Sequence, residues 1–274
     1  MDLTMSTTLQ NGVKMPWFGL GVYKVEDGTL VKDTVKSAID IGYRSIDTAS
    51  FYENEEGVGE GIRESGVPRE ELFITTKVWN TEQGYEETLA AFDRSINKLG
   101  LDYIDLYLVH WPVPGKYLDT YRALEKLYKE KKTRAIGVSN FLIHHLEDLR
   151  KNAEIQPMVN QVEFHPKVAQ PELVNYCKER NIQLEAWSPL ARGRYLDDPI
   201  LKNIAEKYGK TTAQVILRWD YEMGVVTIPK STHSERQKEN ASIFDFSLTE
   251  DDLALIRQLN VGERTGAHPD LFDY

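Results

Sequence analysis

A single cysteine in 274 residues, Cys177, excludes an intramolecular disulfide and any cysteine-based metal centre. It lies in the helical pattern PELVNYCKERN and reads as a packing residue rather than a reactive thiol. Long apolar runs are missing too. No stretch approaches the roughly 18 apolar residues of a membrane span, and the opening MDLTMSTTLQNG has neither the basic start nor the apolar run of a signal peptide. The expectation is a cytoplasmic protein with no membrane partner. Basic charge is in deficit: 33 Lys and Arg against 43 Asp and Glu give a formal net charge of −10. Such a chain is repelled by a phosphate backbone, which argues against a nucleic-acid partner. There is no linker, low-complexity segment or charge block, so one domain over residues 1–274 is the simplest organisation. A hydrophobic fraction of 41% is enough to give that domain a real core.

What is present is alternation. Eight short apolar runs, MPWFGLG, RSIDTA, LFITTKV, IDLYLVH, AIGVSNF, MVNQVEF, QLEAWSPL and GVVTIPK, have the length and β-branched content of buried parallel strands. Amphipathic stretches separate them. In YEETLAAFDRSINKLG, Leu89, Phe92, Ile96 and Leu99 make one face and Gly100 ends it. LVKDTVKSAIDIG fills an earlier gap and ends at Gly42, and YLDTYRALEKLYKE, HHLEDLRKN, PELVNYCKERN and TAQVILRWDYEMG fill later ones. Eight βα units in about 250 residues predict a closed (β/α)8 TIM barrel of the α/β class. The Asn-Gly pair in TTLQNGVKMP adds an N-terminal β-hairpin, and SLTEDDLALIRQLN adds a C-terminal extra helix with Thr249 as N-cap.

Chemistry in such a barrel sits at the C-terminal ends of the strands, and polar residues collect there: Asp47, Lys77, His110, Ser139, Asn140, Asn160, Gln161, Trp187, Ser188, Lys230 and Ser231. Each has a structural alternative. Asp47 can be a plain hydrogen-bond acceptor, Lys77 can snorkel out of the barrel mouth, His110 can be a satisfied buried histidine, and Tyr52 can be an aromatic lid. Together the alternatives weaken. A lysine and an aspartate on adjacent strands can pair and so tolerate burial. A tyrosine beside that lysine is expected to have its phenol pKa lowered, and a nearby histidine can donate a hydrogen bond. That set protonates an oxygen in a dry pocket.

Across nearly its whole length the chain resembles the aldo-keto reductase family. The resemblance is carried by GYRSIDTASFYENEEGVGEGI, LFITTKVWN, LDYIDLYLVHWP, IGVSNF, NQVEFHP and the spaced IPKS, Arg and Asn of the segment that follows the last strand. The small bacterial glyoxal/methylglyoxal and diketogluconate reductases are the most similar kind. The resemblance implies a tetrad of Asp47, Tyr52, Lys77 and His110, with Tyr52 as general acid, and NADPH as hydride donor. It implies that Ser139, Asn140 and Gln161 hold the nicotinamide, Trp187 stacks on it, and Ser188, Pro189 and Leu190 wrap the pyrophosphate. Gly21, Val22, Asp47, Ile228 and Pro229 join the cofactor site, Lys230, Ser231 and Arg236 take the 2′-phosphate, and Glu239 and Asn240 meet adenine. Trp17, Tyr23, Trp79, His110 and Trp111 are the implied substrate residues, and a small carbonyl compound the substrate. Most relatives are monomers, and a monomer is expected. One position departs from the pattern: many members have Gly after the tyrosine, and this chain has Glu53.

Other signals fail on spacing. Gly57-x-Gly59-x-Gly61 is not a dinucleotide fingerprint. YGKTT lacks the first glycine of a P-loop, because Ile204 stands there. His144 and His145 are adjacent, so they are expected to diverge on a helix, and no metal is expected. Two competing functions remain: a non-catalytic NADPH-binding barrel acting as sensor or partner subunit, and a metal-dependent barrel hydrolase built on Asp47 and His110. The second would need several strand-end histidines, and only His110 is at a clear strand end. The short loop WPVPGKYLD hints at an open site.

Overall fold

The structure, a computed structural model, describes residues 2–274. An antiparallel hairpin of β1 (Ser6–Thr8) and β2 (Lys14–Pro16) comes first, with Asn11-Gly12 in its turn. It caps the N-terminal end of the barrel. Asn11 Nδ2 donates to the Arg134 carbonyl, Gln10 Nε2 to that of Pro157, and Thr7 Oγ1 to Gln183 Oε1. All three partners lie at or near the starts of barrel strands, so the hairpin closes the end opposite the strand termini where chemistry is expected.

The sheet runs β3 (Leu20–Gly21), β4 (Ser45–Asp47), β5 (Phe73–Val78), β6 (Ile104–Val109), β7 (Thr133–Ser139), β8 (Val159–Glu163), β9 (Gln183–Trp187) and β10 (Val226–Thr227). Sequence neighbours are sheet neighbours, and all pairs are parallel. The first and last strands then meet. Phe18 bridges Thr227, Gly19 N–H donates to Thr227 O at 3.0 Å, Thr227 N–H to Trp17 O at 3.1 Å, and Gly21 N–H to Pro229 O at 3.3 Å. The predicted barrel is there and closed. The run MPWFGLG is split: Met15 and Pro16 belong to the hairpin, and only its second half enters the barrel.

Helices pack outside: α1 (Thr29–Ile41), α2 (Glu55–Glu64), α3 (Tyr85–Leu99), α4 (Tyr117–Lys129), α5 (Ile143–Asn152), α6 (Pro171–Glu179), α7 (Pro199–Tyr208), α8 (Thr212–Glu222), α9 (Ser234–Ala241) and the extra α10 (Glu250–Arg257). Thr249 caps α10 as expected, its side chain accepting from Asp252 N–H. The glycine-rich EEGVGEGI, which has low helix propensity, is nonetheless α2. Its glycines are buried where other elements come closest. A Cβ on Gly59 would lie 2.1 Å from the Leu99 carbonyl oxygen, and one on Gly57 2.4 Å from Val31. They trade propensity for close packing against α1 and α3. Cys177 is buried in α6, and burial pushes its thiol up to about 12, the behaviour of a packing residue.

Candidate active site

Asp47 is the last residue of β4, and Lys77 is the next-to-last of the neighbouring β5. Both side chains are buried. Lys77 Nζ donates to Asp47 Oδ1 at 2.6 Å and to the Thr48 carbonyl at 2.8 Å. Burial disfavours the ammonium, but the carboxylate beside it outweighs burial and holds the lysine above its ordinary value. Burial raises Asp47, and Lys77 draws it back.

Tyr52 closes a 3-10 turn, Ser50–Tyr52, that begins two residues past Thr48. Two side chains fix that turn. Ser50 Oγ donates to the Lys77 carbonyl. Buried Asn54 donates to the carbonyls of Val22 and Val25 and accepts from Thr48 Oγ1. The phenol oxygen arrives 3.4 Å from Lys77 Nζ. The expected lowering of its pKa does not occur. Burial dominates, Lys77 offsets only part of it, and Asp47 adds to the rise, so the phenol sits at about 12. Tyr52 stays protonated at neutral pH.

His110 follows β6. Burial, reinforced by Lys77, holds it well below the usual histidine value, so the ring is neutral. Its Nδ1 is buried with no partner among the described residues. A buried unpaired N–H is costlier to leave than an unpaired lone pair, so the proton belongs on Nε2. The ring meets Tyr52 edge-on at 5.9 Å between centroids and Trp79 at 5.0 Å.

The ends of β7, β8 and β9 form one hydrogen-bonded wall. Ser139 Oγ donates to the Gln161 carbonyl, and Asn140 Nδ2 to the His110 carbonyl. The indole N–H of half-buried Trp187 donates to Asn140 Oδ1 at 2.8 Å. Asn140 therefore orients both His110 and Trp187, and it does so at a φ of 63°, a left-handed conformation Asn tolerates. Gln161 Nε2 donates to Asp47 Oδ2 at 2.7 Å and to Glu185 Oε2 at 2.8 Å. Only its Oε1 is left to meet a ligand.

At the other end of the candidate cofactor groove, Lys230 and Arg236 are exposed and form no ion pair among the described residues, while 24 such pairs occur elsewhere. They flank the N-terminus of α9, whose free N–H groups favour an anion. Ser231 is buried between them, and Ser188, Pro189 and Leu190 follow β9 at the barrel rim. Ile228 and Pro229 face Gly21, where a Cβ would lie 2.8 Å from the Ile228 carbonyl oxygen, and Val22 is buried beside it. Glu239 accepts from Thr211 Oγ1, and Asn240 is buried. Free cations, an open amide oxygen and a half-buried indole fit an extended, multiply charged dinucleotide with a carboxamide.

Of the expected substrate residues, Tyr23 lies 5.0 Å from Tyr52 between ring centroids, and Trp79 and Trp111 stand beside His110. Trp17 is not brought to this group. It precedes β3, toward the closed end of the barrel, and its ring packs edge-on against Tyr221 of α8. Two aromatics take part that the sequence had not singled out. Phe51 stacks on Trp79 at 3.8 Å, and Phe272 stacks on Trp111 at 4.4 Å. Phe51 adjoins Tyr52 and could have been suspected; nothing local flags Phe272. It arrives on a C-terminal tail tied down by buried Glu163, which accepts from the N–H groups of Thr265 and Gly266 and from His165 Nε2.

His144 and His145 do not diverge as expected. Their ring centroids are 3.9 Å apart, and both Nε2 atoms face Asp270 Oδ1, at 3.1 and 3.6 Å. Burial and His144 lower His145 to about 4, so it is neutral. Its Nδ1 accepts from the Leu142 N–H, which leaves the proton on Nε2. A metal-bound histidine has the reverse arrangement, donating from its other nitrogen. The trio anchors the tail.

The comparisons with known proteins agree with this geometry. A family described as the Aldo/keto reductase family matches residues 18–261. A glyoxal reductase of Bacillus subtilis (strain 168) is 65% identical over 269 residues, covering 98% of each chain. The crystal structure of MGS-M4, an aldo-keto reductase enzyme from a deep-sea metagenome library of the Medee basin, superposes with a TM-score of 0.96 at 49% identity, over 98% of this chain and 100% of that one. An aldo-keto reductase of Bombyx mori, solved in complex with NADP, gives a TM-score of 0.92 at 37% identity, over 98% and 97%. The chain belongs to the aldo/keto reductase family.

Proposed function

We propose that this chain reduces small aldehydes and ketones, of the methylglyoxal, aromatic or sugar-derived kind, to alcohols with NADPH, and that Tyr52 is the proton donor. The observation that carries the reading is the convergence of a protonated phenol, a buried ammonium and a neutral imidazole at one point of the barrel mouth. Bound NADPH supplies a hydride to the carbonyl carbon. The remaining work falls to the chain. Tyr52 gives its proton to the carbonyl oxygen as negative charge develops there. Lys77, held in place and kept charged by Asp47, stabilises the phenolate left behind. His110 donates from Nε2 to the same oxygen and orients it.

The residues that would hold the cofactor divide by chemistry. Gln161 Oε1 and Ser139 suit the carboxamide, with Asn140 acting through Trp187 and His110, and Trp187 offers the nicotinamide a flat face. Ser188, Pro189 and Leu190, with Gly21, Val22, Ile228 and Pro229, line the path of the pyrophosphate. Lys230, Ser231 and Arg236 suit the 2′-phosphate, and Glu239 and Asn240 the adenine. Tyr23, Trp79 and Trp111, joined by Phe51 and Phe272, make the aromatic slot for substrate. Every one of these groups comes from one barrel and the tail that folds back on it, which supports a single domain working as a monomer. The disulfide-free composition suits the reducing cytoplasm, and no helix among the described residues is long and apolar enough to cross a membrane.

The test is NADPH oxidation against methylglyoxal, benzaldehydes, aldoses and keto acids. Turnover of at least one class is expected. Tight NADPH binding with no turnover of any class would overturn the reading in favour of a sensor barrel.

A further inference from the structure

Glu185 is a glutamate in the middle of β9 with no exposed surface. It stands in register with Gln161 of β8, whose side chain links it to Asp47 of the Asp47–Lys77 pair. Its Oε2 accepts from Gln161 Nε2, the same nitrogen that donates to Asp47 Oδ2. Its Oε1 has no partner among the described residues. The ionisable groups that act on it are Asp47 from β4 and Lys77 from β5. From β8 comes the neutral Gln161, and Val226 of β10 lies beside Glu185 in register with no charge to offer. Two carboxyls therefore share one cation in a dry interior.

Lys77 is committed to Asp47 at 2.6 Å. A second carboxylate there would be an unpaired buried charge with an orphan oxygen, which costs far more than an orphan hydroxyl. Like charges so placed share a proton, and the group without the cation keeps it. The Gln161 side chain gains from this arrangement. With both hydrogens of Nε2 engaged, its amide has one orientation, and Oε1 is turned to the groove. We propose that Glu185 is a positioning residue of the reductase site: as a neutral acid it locks the Gln161 amide for the cofactor and leaves the full charge of Lys77 to Asp47 and Tyr52.

Loss of that proton to solvent places a second negative charge next to Lys77. The phenolate of Tyr52 is then harder to form, so the phenol becomes a weaker acid and turnover slows. Burial and Asp47 raise Glu185 to about 8, whereas Tyr52 is at about 12, so an alkaline limb near 8 belongs to Glu185. A carboxyl raised in the folded state contributes fully below its unfolded value, near ~4.3, and the contribution is lost as pH rises toward about 8.

The kinetic half rests on the reductase reading; the protonation half is measured without turnover. For the first, kcat and KM for carbonyl reduction are followed against pH in the wild type, Glu185→Gln and Glu185→Met. The wild type should lose about tenfold in kcat across a limb centred near 8. Both variants should lack that limb, and the Met variant should raise KM for NADPH more than the Gln variant, because only Gln still accepts from Gln161. The same limb in Glu185→Gln overturns the proposal. For the second, melting temperatures are compared between pH 5 and 9. The wild type should fall relative to Glu185→Gln as pH rises to about 8 and then hold a constant offset; an offset independent of pH overturns the proposal. Should Glu185→Gln fail to fold, the Met variant carries both comparisons. A wild type that turns over no carbonyl removes the reductase reading, while the melting comparison still decides the state of Glu185.

Discussion

Two buried aspartates mark the two ends of this barrel, and they are treated in opposite ways. Asp105, next to the start of β6, has no side-chain exposure and every need met. Arg69 reaches it at 2.6 Å, Arg134 at 2.7 Å, and the Ile74 N–H at 2.9 Å. Two cations serve one carboxylate, and both arginines keep part of their surface in water. Asp47, at the end of β4, shares one buried lysine with a second carboxyl, and a single glutamine nitrogen serves both acids. One end over-supplies its charge. The other under-supplies it, so a proton is held in common and the acidity of nearby groups responds to which group carries it. Barrels divide stability and activity between their two ends in this way, and here the division is visible in how each carboxylate is paired.

The largest effect expected is at the open end. Tyr52→Phe removes one oxygen that no stabilising network requires: it makes one long contact, 3.4 Å, with Lys77. Turnover should fall by ~10²–10⁴-fold, the value of a general acid, with NADPH affinity and melting temperature nearly unchanged. Steady-state kinetics with a fluorescence titration of NADPH measures both, and a variant with near wild-type turnover sinks the assignment. The opposite pattern is expected at the closed end. Asp105→Ala strands two arginines and a buried N–H, for a loss of about 3 kcal/mol, discounted because the arginines are partly in water. Denaturant unfolding reads the loss, and kcat of the folded fraction should hold. If each variant moved both readouts equally, the two ends would not differ as described.

The same contrast explains what was legible in sequence. The barrel could be read because eight apolar runs alternate with amphipathic ones, and the strand-end position of Asp47, Lys77 and His110 follows from that alternation. Local composition does not reveal α2, where Gly57 and Gly59 depress propensity but leave room for neighbours that an added Cβ would meet at 2.1–2.4 Å. The family resemblance misled at Trp17, which shares an apolar run with β3 but sits at the wrong end of it, against Tyr221. Glu185 left one legible trace, a lone charge inside an apolar strand. Its meaning depends on Gln161, Asp47 and Lys77 meeting it across the barrel, and Phe272 depends likewise on where the tail lands. The direction of the Tyr52 shift was misread for the same reason: the lysine is visible in sequence, and the depth of burial that outweighs it is not.

A smaller effect is expected at the unpaired cations beside α9. Arg236 contributes to no ion pair among the described residues and is exposed. Removing it should leave stability unchanged and remove one charged hydrogen bond to the 2′-phosphate, roughly tenfold in NADPH affinity after screening at the surface. NADH, which lacks that phosphate, should bind Arg236→Ala and wild type alike, and added salt should mimic the substitution in part. Equal losses for both cofactors would show that Arg236 reads something other than the phosphate.

The smallest effect is at Glu53, which directly follows Tyr52 and occupies a position where many family members have glycine. Its backbone is left-handed, with φ 54° and ψ 28°, and its N–H closes the 3-10 turn onto the Ser50 carbonyl at 3.2 Å. A non-glycine residue in that region carries a penalty of roughly 1–2 kcal/mol. Glycine removes the penalty but gives the unfolded chain more freedom to lose, about 0.5–1 kcal/mol. The two terms oppose, and the side chain is exposed with no ion pair to forfeit among the described residues, so Glu53→Gly should stabilise the protein by about 0.5 kcal/mol. Because the turn itself is pinned by Ser50 and Asn54 rather than by Glu53, the phenol should stay in place and kcat should hold. A rise in melting temperature at constant kcat is the expected pair of results. A fall in both would mean that the strained glutamate helps to aim Tyr52, and would extend the under-determined end of the barrel into the loop that carries its acid.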